Sequence, residues 1–307
     1  SNPLELTWHF RMAIQGVIVG KAERRSGQSI LVPWWSFTKT VLAGAALVLV
    51  GQHRLDLDKP IEGKLYSLRH LLQHTSGLPD YGGLREYHAA VTAHEEPWPR
   101  GELLSRVRSN ELLFAPGTSW AYSNVGYLFV RQIIEQTLDM ELGDVLRKLV
   151  FDPLRAHSAF IATSVEHLDG TAWGNERSYH PRWVYHGLAV GTASAAAVVL
   201  EGLLYSRLLP DHLRAQLLSA VSAGARFHGR PFVRPSYGLG LMIDLQSPLG
   251  RMVGHTGQGP GSSAAVYSFP DLTPPRTLAA FAPGDGTDAL GALETHIQTL
   301  ASVKTSD

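Results

Sequence analysis

Ser36 and Lys39 stand three residues apart in WWSFTKTVLAGAALVLVGQH, where a long apolar run begins. On a helix, positions three apart share a face, so the amine can reach the hydroxyl. At a helix N-terminus, unpaired N–H groups and the positive end of the dipole favour negative charge. A serine there gains a base, and its own N–H can stabilise an oxyanion. The lysine must shed its proton to serve as that base, which apolar neighbours such as Trp34, Trp35 and residues 41–50 encourage. The plain alternative is an N-capping serine followed by a solvated lysine. Average composition yields roughly one chance Ser-x-x-Lys in a chain this long.

Two other stretches carry suitable groups. Tyr122 and Asn124 lie in PGTSWAYSNVGYLFV, where a loop turns into a helix. A phenol near an ammonium can relay protons, and an amide can hold a substrate carbonyl or the lysine. The alternative is a tyrosine packing a seam and an asparagine capping the helix. In GHTGQGPGSS, His255 and Thr256 offer donors from a strand, and Gly257 leaves room for a ligand along its edge. Gln258 can supply a second main-chain oxyanion donor, since such donors often come in pairs. Read plainly, this stretch is a glycine-rich hairpin turn with a surface histidine.

The elements that must position these groups follow from the apolar pattern. GVIVG at 16–20 and SILVPW at 29–34 predict a hairpin around KAERRSGQ. Residues 37–51 predict a helix apolar on nearly all faces, hence central. Leu68 to His74 reads as a short helix stopped by Gly77 and Pro79, and 80–120 as a loop-rich cap. Helical spacing recurs over 125–136, 142–150 and 189–209, with Ser194 as a capping residue for the last. After residue 235 the texture turns to alternating strands, and 289–303 closes the sequence as an amphipathic helix. The order predicts an α/β (α+β) fold: an antiparallel sheet built from both chain ends, with an all-helical lobe inserted in the middle. We expect one domain over 1–307, its α/β lobe from about 1–55 and 190–307 and its helical lobe over about 56–189. The seam between lobes is a natural place for a site.

Composition removes several function classes. The 307 residues hold 27 Lys+Arg and 27 Asp+Glu, so the net charge is zero and no basic groove for nucleic acid is expected. With no cysteine there is no disulfide, thiolate metal site or Cys nucleophile. The apolar run from Val41 to Gly51 is about half of what a bilayer needs, so no transmembrane segment is expected. No basic leader with a cleavage site opens the sequence, which leaves cytoplasmic and exported locations both open. The pairs His88/His94 and His180/His186 match no metal template, so neither a metal nor a cofactor is expected. G-x-S-x-G is absent, which argues against an α/β-hydrolase elbow. Oligomeric state is not readable.

Taken together and in this order, Ser-x-x-Lys at 36–39, Tyr-x-Asn at 122–124 and His-Thr-Gly at 255–257 resemble the serine β-lactamase and penicillin-binding-protein superfamily. The class C β-lactamase-like branch, with its esterases, D-aminopeptidases and DD-peptidases, is the nearer match. LRHLLQHTSGLPDY at 68–81, FDPLRAHSAF at 151–160 and YGLGLMID at 237–244 extend the resemblance over nearly the whole chain. His74, Thr75 and Ser76, which look catalytic, form a structural corner in that family.

The resemblance implies that Ser36 attacks a carbonyl to form an acyl-enzyme that water hydrolyses. Lys39 and Tyr122 would share the proton work, with either as base. Asn124 would position substrate and Lys39, and the N–H groups of Ser36 and Gln258 would form the oxyanion hole. A lysine at position 255 would attract a carboxylate, whereas a histidine, with an ordinary pKa near ~6.5, is mostly neutral. That favours a neutral ester or a different amide over an efficient β-lactamase. The expected partner is therefore a small-molecule or peptide substrate. A β-lactamase or DD-peptidase proper, or a sensor that is acylated without turnover, are the alternatives.

Overall fold

The structure is a computed structural model and describes residues 13–19, 22–24, 29–173, 179–227, 229–284 and 286–303. Eleven strands occur among them: β1 (Ile14–Val19), β2 (Ala22–Arg24), β3 (Val32–Pro33), β4 (Phe160–Ala162), β5 (Leu188–Gly191), β6 (Val221–Ser222), β7 (Pro235–Tyr237), β8 (Met242–Ser247), β9 (Gly250–Gly259), β10 (Ser262–Phe269) and β11 (Arg276–Pro283). The α-helices that matter for the site are α1 (Thr38–Gly51), α2 (Leu68–Leu72), α3 (Asn124–Leu138), α4 (Ala193–Tyr205) and α5 (Thr287–Ser302).

The main sheet runs β2-β1-β11-β10-β9-β8-β7-β6 and is antiparallel throughout. The first described strand pairs with the last, Ile14 opposite Phe281, so the sheet is built from both ends of the chain as the strand pattern predicts. Side chains alternate faces along a strand. In β10, Ala264 and Val266 accordingly join one hydrophobic core, which includes α4, while Ala265 and Tyr267 join another, which includes Leu293 and Ile297 of α5. Both faces are covered, which is why β10 is buried along its whole length.

Helix α1 is buried from Thr38 to Leu47. Its sequence is apolar on nearly every face because it has neighbours on nearly every side. It runs through the centre, where it packs against both α3 and α4. No helix among the described residues is long and apolar enough to cross a membrane.

Four local expectations are corrected. β1 pairs with β2, Val17 opposite Arg24, rather than with 29–34; the turn residues Gly20, Lys21 and 25–28 lie outside the described residues. Val32–Pro33 pairs instead with β5 in a small sheet ordered β3-β5-β4, where Pro33, lacking an N–H, sits on an edge strand. The middle of the chain is thus not purely helical. The helix expected from 189 begins at Ala193, because LAVG is drawn into β5, and its cap is Thr192, whose hydroxyl accepts from the Ala195 N–H at 3.1 Å, not Ser194. Finally, α2 ends at Leu72, and the chain turns at His74 (φ 60°) before reaching Gly77 (φ 78°).

Candidate active site

Ser36 sits in a short 3-10 turn, Trp35–Phe37, that leads into α1. Trp35 holds a left-handed backbone conformation, φ 45°, which is an outlier for a bulky side chain. Its indole keeps it there: the ring N–H donates to Ser262 Oγ at 2.9 Å, and Tyr179 packs edge-on at 5.8 Å. The turn and α1 have no side-chain cap, so the Ser36 hydroxyl is not used as an N-cap. Lys39, one turn on, is 0% exposed rather than solvated.

The Lys39 amine is the centre of the arrangement. Its Nζ donates to Ser36 Oγ at 3.1 Å and to Asn124 Oδ1 at 2.7 Å, and it lies 4.9 Å from the Tyr122 ring centre. The Tyr122 phenol lies near enough to Ser36 for that side chain to favour its ionised form. Asn124 is the first residue of α3; Ser123 is the cap, its hydroxyl accepting from the Gly126 N–H at 3.0 Å, which frees the Asn124 amide to face the lysine. The His74 corner supports this wall. Its Nδ1 accepts from the Ser123 N–H at 3.1 Å, and its ring lies 4.3 Å from that of Tyr122.

The opposite wall is β9. Its pairing with β10 continues to Gly259, but its pairing with β8 stops at Gly254. Residues 255–259 therefore keep one edge without a strand partner, beside the Ser36 turn. A Cβ on Gly257 would stand 2.7 Å from the Ser36 nitrogen and 2.9 Å from the Trp34 carbonyl oxygen, a separation that only glycine permits. Between the walls lies a cavity of about 970 Å³, lined by Ser36, Tyr122, Asn124, Thr256, Gly257 and Gln258 among others. Lys39 reaches it from beneath, through Ser36.

The Beta-lactamase family model matches residues 16–300. The chain belongs to the beta-lactamase family. Among curated proteins it is similar to penicillin-binding protein 4* of Bacillus subtilis, 25% identical over 225 residues, which are 67% of this chain and 49% of that protein. It is also similar to a D-aminopeptidase of Cereibacter sphaeroides, 27% identical over 157 residues, 48% of this chain and 30% of that one. The chain thus spans about half or less of the length of these relatives. Among solved structures, the D-amino acid amidase from Ochrobactrum anthropi SV3 complexed with D-phenylalanine superposes with a TM-score of 0.79 at 21% identity, covering 96% of this chain and 94% of that one. That likeness establishes the shared fold.

His255, the first residue of the family's third motif, departs from the role expected of it. It is fully buried beneath the cavity surface, with Nε2 2.8 Å from the Tyr237 hydroxyl and Nδ1 against the Thr256 carbonyl oxygen. Burial, with the Lys39 charge nearby, pushes it down to about 3, so it is neutral at pH 7. Its ring is held by Tyr237 beneath the cleft floor and is not among the residues that line the cavity.

Five residues escaped the motif reading. Asp80 accepts from the Asn124 N–H at 2.8 Å and its Nδ2 at 3.2 Å, which fixes the amide with its oxygen toward Lys39. His186 places Nε2 3.3 Å from Lys39 Nζ and is also buried. Arg230 lines the cavity and donates to Thr256 Oγ1 at 2.7 Å. Its guanidinium also grips the fully buried Glu294 of α5, with Nε to Oε2 at 3.0 Å and Nη2 to Oε1. Tyr267 adds its hydroxyl to Glu294 Oε1 at 2.9 Å. The HTSGLPDY landmark contained Asp80, but nothing in the local sequence marked the other four.

Burial separates the titrating pair. It pushes Lys39 down to about 7, against the opposing pull of the Asp80 carboxylate. It pushes Tyr122 well above the ordinary phenol range, and the neighbouring Ser36 only partly offsets this.

Proposed function

We propose that this chain is a serine hydrolase that cleaves a small amide or ester through an acyl-enzyme on Ser36. The supporting observation is a fully buried lysine amine 3.1 Å from the Ser36 oxygen. With Lys39 near 7, a substantial fraction is neutral at physiological pH, and its lone pair can take the Oγ proton as Oγ bonds the carbonyl carbon. Tyr122 stays protonated, so the choice of base falls on Lys39 and the phenol serves as a donor. The oxyanion faces the N–H groups of Ser36 and Gln258; one such donor is worth ~3 kcal/mol of transition-state stabilisation. Collapse breaks the C–N or C–O bond, and the leaving group departs with the proton. Water then attacks the ester, its proton passing to Lys39 and on to Oγ as the acid leaves.

The sheet wall bears on substrate charge. Among the described residues, Arg230 is the cation that lines the cleft on that side, and Glu294 cancels it. His255 is neutral. A substrate presenting an uncharged amide or ester there fits better than one presenting a carboxylate, which disfavours β-lactams and C-terminal D-peptides. The names of the relatives, D-aminopeptidase and D-amino acid amidase, are in keeping with an amide.

Intact-mass measurement after treatment with a fluorophosphonate tests the reading. A single adduct is expected on the wild type and none on Ser36→Ala; equal labelling of both would refute it. Turnover of a p-nitrophenyl ester or a D-amino acid amide, set against a chromogenic cephalosporin, then ranks the substrates. Faster cephalosporin turnover would move the assignment to a β-lactamase, and a persistent penicillin adduct without turnover would move it to a sensor.

A further inference from the structure

We infer that His186 is a positioning residue for Lys39, aiming the amine's lone pair at Ser36. This rests on the reading of Lys39 as the base for Ser36. A lysine Nζ has three directions besides its own carbon, and here each meets a polar atom: Ser36 Oγ at 3.1 Å, Asn124 Oδ1 at 2.7 Å and His186 Nε2 at 3.3 Å. A neutral amine has two hydrogens and one lone pair to distribute among them. Asn124 Oδ1 can only accept, because its partner nitrogen is committed to Asp80. His186 Nε2 accepts when the ring proton is on Nδ1. With both hydrogens taken, the lone pair is left facing the one partner that can donate, the Ser36 hydroxyl. Without His186, the second hydrogen turns to Ser36 Oγ and the lone pair points away from the proton it must take.

The cost of the arrangement is visible. His186 Nδ1 is buried with no hydrogen-bond partner among the described residues, an unsatisfied group that stability alone would select against. The ring is held by packing: it is 2% exposed, edge-on to Tyr127 at 6.5 Å, and follows Tyr185, whose carbonyl oxygen accepts from Arg131 at 3.3 Å. It is also kept neutral, because burial and the charge on Lys39 push it well below the ordinary histidine range. Burial and the Asp80 carboxylate set the titration of Lys39; the other titratable groups facing it are Tyr122, Tyr127, His74, His255 and His186 itself, with Arg131 near His186.

The test compares His186→Leu, which removes the acceptor, with His186→Gln, which restores one. Loss of one hydrogen bond to a charged or reacting group predicts about a tenfold fall in kcat for the leucine variant on a p-nitrophenyl ester, with KM within about twofold. Its acid limb should move to lower pH, because the ammonium loses an acceptor, and the glutamine variant should recover most of both. Wild-type kinetics in His186→Leu, or equal damage in both variants, would overturn the inference. Ser36→Ala in the same assay separates the two levels: retained activity there sinks the hydrolase reading itself, whereas a dead Ser36→Ala with an unaffected His186→Leu sinks only the role of His186. The wild type offers a check independent of any variant's folding. Long-range 15N–1H correlation at pH 8 should find His186 protonated on Nδ1; a proton on Nε2 leaves nothing to accept from Lys39 and ends the proposal.

Discussion

On the helical wall of the cleft, Lys39, Asn124, Asp80 and His186 form one connected set around an amine that burial has left close to neutrality. On the sheet wall, Arg230 and Glu294 form an equally buried set, but there the charges are cancelled face to face. Both walls take ions out of water, and each does so with a different result. The Asp80 carboxylate opposes the desolvation of Lys39 from behind Asn124 rather than by direct contact, and the lysine's proton becomes movable. Arg230 meets its carboxylate directly and stays charged, a fixed donor that holds Thr256. On the proposed reading, the same physical cost yields a base on one side and a scaffold on the other.

The contrast can be broken in order of effect. Lys39→Arg puts a permanent cation where a titrating one stood, so acylation should fall by about 10³-fold with little change in fold, read by the rate of fluorophosphonate labelling. A rate within tenfold of wild type would mean the amine is not the base. On the other wall, Glu294→Ala strands Arg230 as a buried unpaired charge and should destabilise the protein by about 3–5 kcal/mol in urea unfolding. A loss below ~1 kcal/mol would show that the two walls are not built differently after all.

Gly257→Ala probes the meeting of the walls, since its methyl group would press on the Ser36 nitrogen and the Trp34 carbonyl, which are backbone and cannot swing aside. We expect about a 10²-fold loss in kcat, the scale of one oxyanion donor, with stability changed far less. The smallest effect is on acid stability. His255 is lowered in the fold to about 3 from an ordinary ~6.5, so the unfolded chain binds the extra proton within that window. Stability should therefore fall as pH drops below ~6.5, by at most ~1.4 kcal/mol per unit for this residue, and His255→Gln should flatten the slope. An unchanged slope would place the acid sensitivity on the other buried histidines, His74 and His186.

What the sequence made legible was local or periodic. The all-round apolar character of α1, the three-residue spacing of Ser36 and Lys39, and the alternation after residue 235 each follow from repeat geometry within a few residues. Family motifs then linked three distant segments. The partners that tune the site lie beyond both kinds of signal: Asp80 meets Asn124 across 44 positions, Arg230 meets Glu294 across 64, and Lys39 meets His186 across 147. A lone histidine or an Arg and Glu far apart have no pattern to mark them until the chain is folded. Misreadings arose where local propensity met a tertiary demand, as when β5 drew LAVG out of an otherwise plausible helix.

The proposed mechanism requires Lys39 to be a base that loses its proton near neutrality because it is buried. Single-turnover labelling of the wild type by an uncharged fluorophosphonate, followed by intact mass from pH 5 to 9, reads this directly. The labelling rate should rise about tenfold per unit at low pH and level off around pH 7. A rate that is flat over that range, or that keeps climbing toward the ordinary lysine value near ~10.4, would contradict it.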